Sequence, residues 1–94
     1  MSNQVSATEA KLYSGLSAAT ELLLLLGMRK DKAAKKWKPV IEEFCADSQT
    51  ALGLCGELRR LEGEASAECS EKLAELFSKC QHTLRRIRHR LSQR

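Results

Sequence analysis

Four cysteines are the side chains of this sequence with the most chemistry open to them, and they form two pairs. Nine residues separate Cys45 from Cys55. Ten residues separate Cys69 from Cys80. If the chain folds back on itself near Gly63, one antiparallel register places Cys55 opposite Cys69, and the same register places Cys45 opposite Cys80. Such thiols either close two disulfides that clamp a helical hairpin or line its core as small apolar side chains.

Two antiparallel helices that each carry two cysteines about three turns apart resemble the twin Cx9C (coiled-coil-helix–coiled-coil-helix) proteins. The combination of a nine-residue with a ten-residue spacing is a known variant of that pattern, and the resemblance covers residues 45–80. It implies oxidation in the mitochondrial intermembrane space and a role as a respiratory-complex subunit or assembly factor. It also implies two disulfides, Cys45–Cys80 and Cys55–Cys69.

Metal binding and catalysis are not favoured by the remaining residues. A structural zinc site usually has two ligands two to four residues apart, and no two cysteines here are that close. His82 follows Cys80 by two residues, which places them on different faces of a helix. His82 and His89 are seven residues apart and can share a helix face. On a basic surface we expect them to be solvated and not to bind a metal. Phosphate-loop, HExxH and GxSxG motifs are absent, so we expect no enzyme, no metal and no cofactor.

The composition predicts an all-α protein. The 94 residues fit one domain, with 43% hydrophobic and 30% charged residues and one proline. No stretch alternates apolar and polar residues as a strand does. We therefore expect a single helical domain over residues 1–94. It would be an antiparallel helical hairpin with an N-terminal helix packed on it, which makes a three-helix bundle.

Three helices are predicted, over about residues 7–26, 39–61 and 65–91. A capping box at Ser6 and Glu9 begins the first, and Gly27 ends it. Residues 28–38 are expected to form a basic connector, since Pro39 suits the first position of a helix. Residues that mark an inner face, all but Ser48 apolar, recur every three or four positions in each helix. These are Leu12, Leu16, Ala19, Leu23 and Leu26; then Trp37, Ile41, Phe44, Ser48, Leu52, Cys55 and Leu58; then Ala65, Cys69, Leu73, Leu76, Cys80, Leu84, Ile87 and Leu91.

Five consecutive leucines, residues 22–26, place apolar side chains on every side of the first helix. Either neighbouring segments cover them all, or Leu24 and Leu25 reach the surface and bind a partner or a second copy. The second interpretation predicts a docking patch near the end of this helix. Its residues would be Leu22, Leu24, Leu25, Met28 and Trp37.

Charge is distributed unevenly along the predicted hairpin. Glutamates gather around its turn, and the register brings two basic clusters together at its open end. Glutamates early in the third helix and arginines late in it also suit the helix dipole. An acidic partner or anionic surface could bind this end, whereas nucleic acid is disfavoured because no aromatic residue interleaves the arginines. The basic residues are Lys35, Lys36, Lys38, Arg85, Arg86, Arg88 and Arg90.

The N-terminus shows no secretory signal, and the longest apolar run is far shorter than the ~20 residues of a membrane span. A soluble intracellular protein is expected, cytoplasmic if the cysteines are reduced and in the intermembrane space if they are oxidised. The leading hypothesis is a non-catalytic helical module that binds another protein or itself, such as an adaptor, chaperone or assembly subunit. Its alternatives are the disulfide-clamped hairpin and an electrostatic binder of acidic or phosphate-rich partners.

Overall fold

A computed structural model describes the backbone of residues 2–29 and 32–93, and the side chains of residues 5–27, 32 and 34–93. Three helices account for nearly all of it: α1 (Ser2–Arg29), α2 (Lys32–Leu58) and α3 (Gly63–Ser92). Every helix packs against the other two in a body of 50 × 20 × 16 Å. The predicted all-α bundle, a hairpin with an N-terminal helix packed on it, is confirmed. None of the described helical segments is long and apolar enough to cross a membrane.

Helix α1 extends beyond both predicted ends. It begins at Ser2, so Ser6 lies on an exposed face inside the helix and the predicted capping box is wrong. Instead, Glu9 accepts a hydrogen bond of 2.9 Å from Nη1 of Arg59, which lies just after α2. Gly27 lies inside α1 and does not end it. The leucine run before Gly27 has high helix propensity, which carries the helix through a single glycine.

The buried side of α1 differs from the predicted stripe at two of its five positions, by one residue each time. Leu22 is buried, whereas Leu23 is 41% exposed and Leu16 is half-buried. Gly15 supplies the missing inner position, because a Cβ there would lie 3.0 Å from Phe44 Cζ and 3.3 Å from Leu84 Cδ2. The glycine therefore lets α1 approach both other helices closely. The inner stripe of α1 consists of Leu12, Gly15, Ala19, Leu22 and Leu26.

Helix α2 begins seven residues before its predicted start, and the predicted connector is wrong from Lys32 onward. Alanine and lysine favour the helix there, and Ala34 and Trp37 pack against the core. Pro39 consequently lies inside the helix. It has no amide hydrogen to donate to the carbonyl of Lys35, and helix packing outweighs that loss. The buried side of α2 includes Ala51, where Leu52 was expected.

The chain reverses between α2 and α3 as the sequence predicts, although α2 ends at Leu58 instead of 61. The amides of Arg60 and Leu61 both donate to the carbonyl of Glu57, at 2.9 and 3.0 Å. Gly63 then has φ +68°, a left-handed conformation that glycine adopts without strain. The turn prediction at Gly63 is confirmed, and the reason is this backbone conformation.

Helix α3 follows its predicted stripe most closely. Two predicted positions of this stripe are not buried: Ala65, at the start of the helix, is exposed and Leu76 is half-buried. The remaining predicted positions are buried and pack against α1 and α2. They are Cys69, Leu73, Cys80, Leu84, Ile87 and Leu91.

Candidate interaction surface

The solvent-facing side of α1 carries a second stripe with helical spacing, and no charged side chain lies in it. Its six residues are all exposed and follow one another at steps of three or four. Residues at these steps lie on one face of a helix. Tyr13 is 61% exposed and Leu24 is 66% exposed, the two most exposed large apolar side chains described. We call this the α1 outer stripe: Ala10, Tyr13, Ser17, Thr20, Leu24 and Gly27.

The five predicted docking residues differ in their exposure in the structure. Leu24 is exposed as predicted. Leu22 is fully buried, so its assignment to a docking surface is wrong. Leu25 and Trp37 are half-buried and pack against the core. The side chain of Met28 lies outside those that the structure describes.

Sequence reasoning missed Tyr13, Ser17 and Thr20. A search for hydrophobic periodicity does not find them, because serine and threonine are not apolar. The signal that could have found them is the lack of charge: between Ala10 and Gly27 only two residues are charged, Lys11 and Glu21, and neither is in the stripe. That gap is notable in a chain with 30% charged residues.

The two basic clusters meet at one end of the hairpin, as predicted. The guanidinium carbon of Arg86 lies 5.6 Å from the centre of the Trp37 ring, a cation–π contact that joins the start of α2 to the end of α3. Arg88 also donates a 3.2 Å hydrogen bond to Ser14 Oγ on α1. Eight basic side chains lie at this end, and all are exposed except Arg90, which is half-buried. The basic end consists of Lys32, Lys35, Lys36, Lys38, Arg85, Arg86, Arg88 and Arg90.

Lys79 precedes the basic end and pairs with acidic side chains of α2. Its Nζ lies 2.8 Å from Glu43 Oε1 and 3.0 Å from Asp47 Oδ2. Hydrogen bonds to Glu43 and then Asp47 hold the pKa of Lys79 above its ordinary value. This lysine therefore links α3 to α2 and adds little free charge to the surface.

The opposite end of the molecule is acidic. Six exposed glutamates between residues 57 and 75 outnumber Arg59, Arg60 and Lys72 in the same segment. The N-terminal part of α1 lies beside this end, since Val5 lines one groove together with Leu58. The acidic end consists of Glu57, Glu62, Glu64, Glu68, Glu71 and Glu75.

The four cysteines are free thiols, two on α2 and two on α3. Cys69 Sγ donates to the carbonyl of Leu54, 3.5 Å away and one residue before Cys55. Ser48 Oγ donates to Cys80 Sγ at 3.8 Å. Ser48 lies about one helical turn after Cys45. The hairpin therefore brings each cysteine of α3 near the part of α2 that the register predicts.

Burial controls the ionisation of three of these thiols. Desolvation raises the pKa of Cys45 above its ordinary value of 9.0. It also raises the pKa of Cys55 and that of Cys80, where the hydrogen bond from Ser48 acts in the opposite direction. Neutral thiols are accordingly the favoured form at neutral pH. Among the described residues, no group of three or more His, Cys, Asp or Glu side chains could hold a metal ion.

A shallow groove of about 630 Å³ lies near the acidic end, where all three helices meet. Its walls are mainly apolar, with Val5, Leu58, Leu73 and Phe77 among them. These four side chains also pack against the core, so the groove is the outer margin of the bundle interior. The basic Arg59 at its rim already pairs with Glu9.

Comparison of the chain with protein-family models, with curated proteins and with solved structures finds no match.

Proposed function

We propose that the protein is a non-catalytic helical interaction module. It binds by packing the α1 outer stripe against the uncharged face of an amphipathic helix of a protein partner. The observation that carries the proposal is the uncharged, exposed stripe centred on Tyr13 and Leu24, opposite a fully packed inner stripe.

The chemistry of the stripe restricts its partner. Tyr13 and Leu24 offer apolar area, which favours a partner helix with apolar side chains. Ser17 and Thr20 lie between them, and small side chains allow two helices to approach closely. A charged partner surface would lose hydration on this stripe and gain no counter-charge. A helix with an uncharged face is therefore the complementary occupant.

Two matched serines allow a direct test. Ser17 lies in the middle of the α1 outer stripe, and Ser78 is similarly exposed on the outward side of α3. A photoactivatable cross-linking amino acid at position 17 should give a product of defined mass in cells, and the same group at position 78 should not. Leu24→Lys should remove that product because it places a charge in the contact. No product from position 17, or equal products from both positions, would refute the proposal.

The basic end favours a second candidate function, the binding of an acidic or phosphate-rich partner. Seven of its eight cations are exposed, and the contact between Arg86 and Trp37 holds the two clusters together. Binding of inorganic polyphosphate should weaken steeply with added salt, since the attraction depends on released or screened ions. Affinity unchanged between about 50 and about 300 mM salt would refute this candidate.

The disulfide-clamped hairpin is a third candidate, favoured by the position of Cys69 beside the residue that precedes Cys55. Oxidation would join Cys55 to Cys69 and Cys45 to Cys80. Mass spectrometry of the native protein after alkylation, with and without prior reduction and in denaturant, distinguishes the two states. Added mass only after reduction would support the disulfides, and four alkylated thiols without reduction would exclude them.

A further inference from the structure

We infer that the helix bound by the α1 outer stripe is α1 of a second copy, packed antiparallel to the first. This inference rests on the proposed function and specifies its partner. It would make the protein a symmetric homodimer whose two-fold axis passes between Ser17 and Thr20.

The first argument is the symmetry of the stripe. An antiparallel register in which paired residue numbers sum to 37 places every stripe position opposite another stripe position. Tyr13 lies opposite Leu24 of the second copy, and Ser17 lies opposite Thr20. Ala10 at one end lies opposite Gly27. Large side chains thus pair with each other and small polar side chains pair at the centre, as an isologous two-fold interface requires.

The second argument comes from the leucines beside the α1 outer stripe, which also favour an antiparallel pair of two copies. In a two-fold antiparallel pair, one flank of α1 lies against the same flank of the second copy. Leu16 and Leu23 lie on one flank, and Leu23 is 41% exposed. The register brings Leu16 of one copy within two positions of Leu23 of the other. Four leucines would therefore cluster beside the stripe and extend the buried apolar area.

The third argument is charge complementarity between the ends of the molecule. The start of α1 lies beside the acidic end, and α1 finishes next to the basic end, where α2 begins. An antiparallel pair therefore places the basic end of each copy near the acidic end of the other. A parallel pair would bring two basic ends together and incur like-charge repulsion.

The size of the contact sets the expected strength. Residues 10–27 span about 27 Å at the helical rise, and a helix is roughly 10 Å wide. The contact area of one helix face is small beside the ~800 Å² that each partner buries in a typical stable interface. We therefore expect a dissociation constant in the micromolar range. The monomer mass is 10.5 kDa, so dimerisation is readily measured by sedimentation equilibrium.

A charge exchange at the ends of the stripe tests both the partner and the register. Tyr13→Lys and Leu24→Glu alone should each weaken the homodimer at least tenfold, because each places two charges in the contact. An equimolar mixture of the two variants should recover dimerisation, since the lysine introduced at position 13 then faces the glutamate introduced at position 24. The second pair in that mixed dimer remains Tyr13 with Leu24. A mixture of Tyr13→Lys with Leu24→Lys is the matched control and should stay monomeric. Circular dichroism should show unchanged helicity throughout, because both positions are exposed.

Three results would overturn the inference. They are a wild-type monomer at several hundred micromolar, variants that dimerise like wild type, and a mixture of Tyr13→Lys with Leu24→Glu that recovers no more than the control. In a parallel pair, positions 13 and 24 would lie about 16 Å apart, too far for that recovery. The cross-linking experiment separates this failure from failure of the proposed function. A product between position 17 and a different protein would retain the function and exclude the second copy.

Discussion

Helices α1 and α3 have similar lengths and each buries one stripe, but their outward sides differ in charge. The solvent-facing stripe of α3 is polar throughout, and we call it the α3 outer stripe: Glu71, Glu75, Ser78, His82, Arg85 and His89. The α1 outer stripe has no charged residue. Charged outward residues keep a helix soluble and are what a surface helix requires. The needs of the fold therefore explain the residue types on both sides of α3. On α1 they explain only those of the inner stripe.

This difference indicates that α1 supports two contacts. Its inner stripe packs against the bundle, and its outer stripe is available for a partner. The alternative is that α1 is loosely placed and can rotate to bury either side. The first two of the four predictions below separate these possibilities.

Lysine substitutions at Leu22 and at Leu24, two positions apart, should differ most in their effect on stability. Leu22→Lys replaces a side chain with no exposure, and it should cost about 4 kcal/mol or more through lost packing and a buried charge. That loss is comparable with the whole stability of a small domain. Leu24→Lys should change the free energy of unfolding by no more than about 0.5 kcal/mol. Urea unfolding followed by circular dichroism, at concentrations that keep the protein monomeric, measures both.

A rotating α1 would give a different result. The leucine run would then supply Leu23 or Leu24 to the core when Leu22 is replaced, and Leu22→Lys would lose little stability. Comparable losses for Leu22→Lys and Leu24→Lys would show that α1 has no fixed inner side, and the outer stripe would cease to be a defined surface.

Two glycines provide the second test. A Cβ added at Gly53 would meet no neighbouring atom within 4 Å, so Gly53→Ala should raise the free energy of unfolding by about 0.5–1 kcal/mol. Gly15→Ala gains the same helix propensity but must displace Phe44 and Leu84. Overpacking of this kind costs about 1–3 kcal/mol. Gly15→Ala should therefore be the less stable variant, by about 2 kcal/mol. Equal stabilisation by both substitutions would mean that α1 packs loosely at Gly15.

These elements also show what the sequence could predict. The hairpin was predictable because α3 carries one clear stripe and Gly63 is a residue suited to a left-handed turn. The predicted inner stripe of α1 is displaced by one residue at two positions. Five consecutive leucines show no periodicity, and a glycine such as Gly15 does not count as apolar in a hydrophobic pattern. The sequence does not reveal the early start of α2, because Pro39 locally favours a helix start whereas the packing of Ala34 and Trp37 extends the helix before it. Packing between helices decided each of these cases.

The outer stripe of α1 could not be predicted for a related reason. Serine, threonine, alanine and glycine are compatible with either the inside or the outside of a bundle, so their positions acquire meaning only when the inner side is known. Once Leu22 is placed in the core, the helical period assigns Ser17 and Thr20 to the surface.

The third prediction concerns the thiols of α2 and α3. Because the pKa values of Cys45, Cys55 and Cys80 are raised in the folded state, the unfolded chain loses these protons first as pH rises past about 9. Stability should be fully present below that pH and should decline progressively above it. The urea midpoint at pH 8, 9 and 10, measured with reductant, tests this decline. Cys80→Ala is the control and should show a shallower decline, because other alkaline titrations remain unchanged.

The smallest effect should come from Lys79, whose ion pairs with Glu43 and Asp47 belong to the charged side of α3. Exposed ion pairs contribute little, since water solvates the separated charges nearly as well. Lys79→Ala should barely lower the melting temperature, and the difference should vanish at 1 M salt, where screening acts within about 3 Å. Lys72→Ala, also exposed on α3, is the control. A large, salt-resistant loss for Lys79→Ala alone would show that the outward charges of α3 hold the bundle together, and the charge difference between α1 and α3 would then no longer single out α1 as a binding helix.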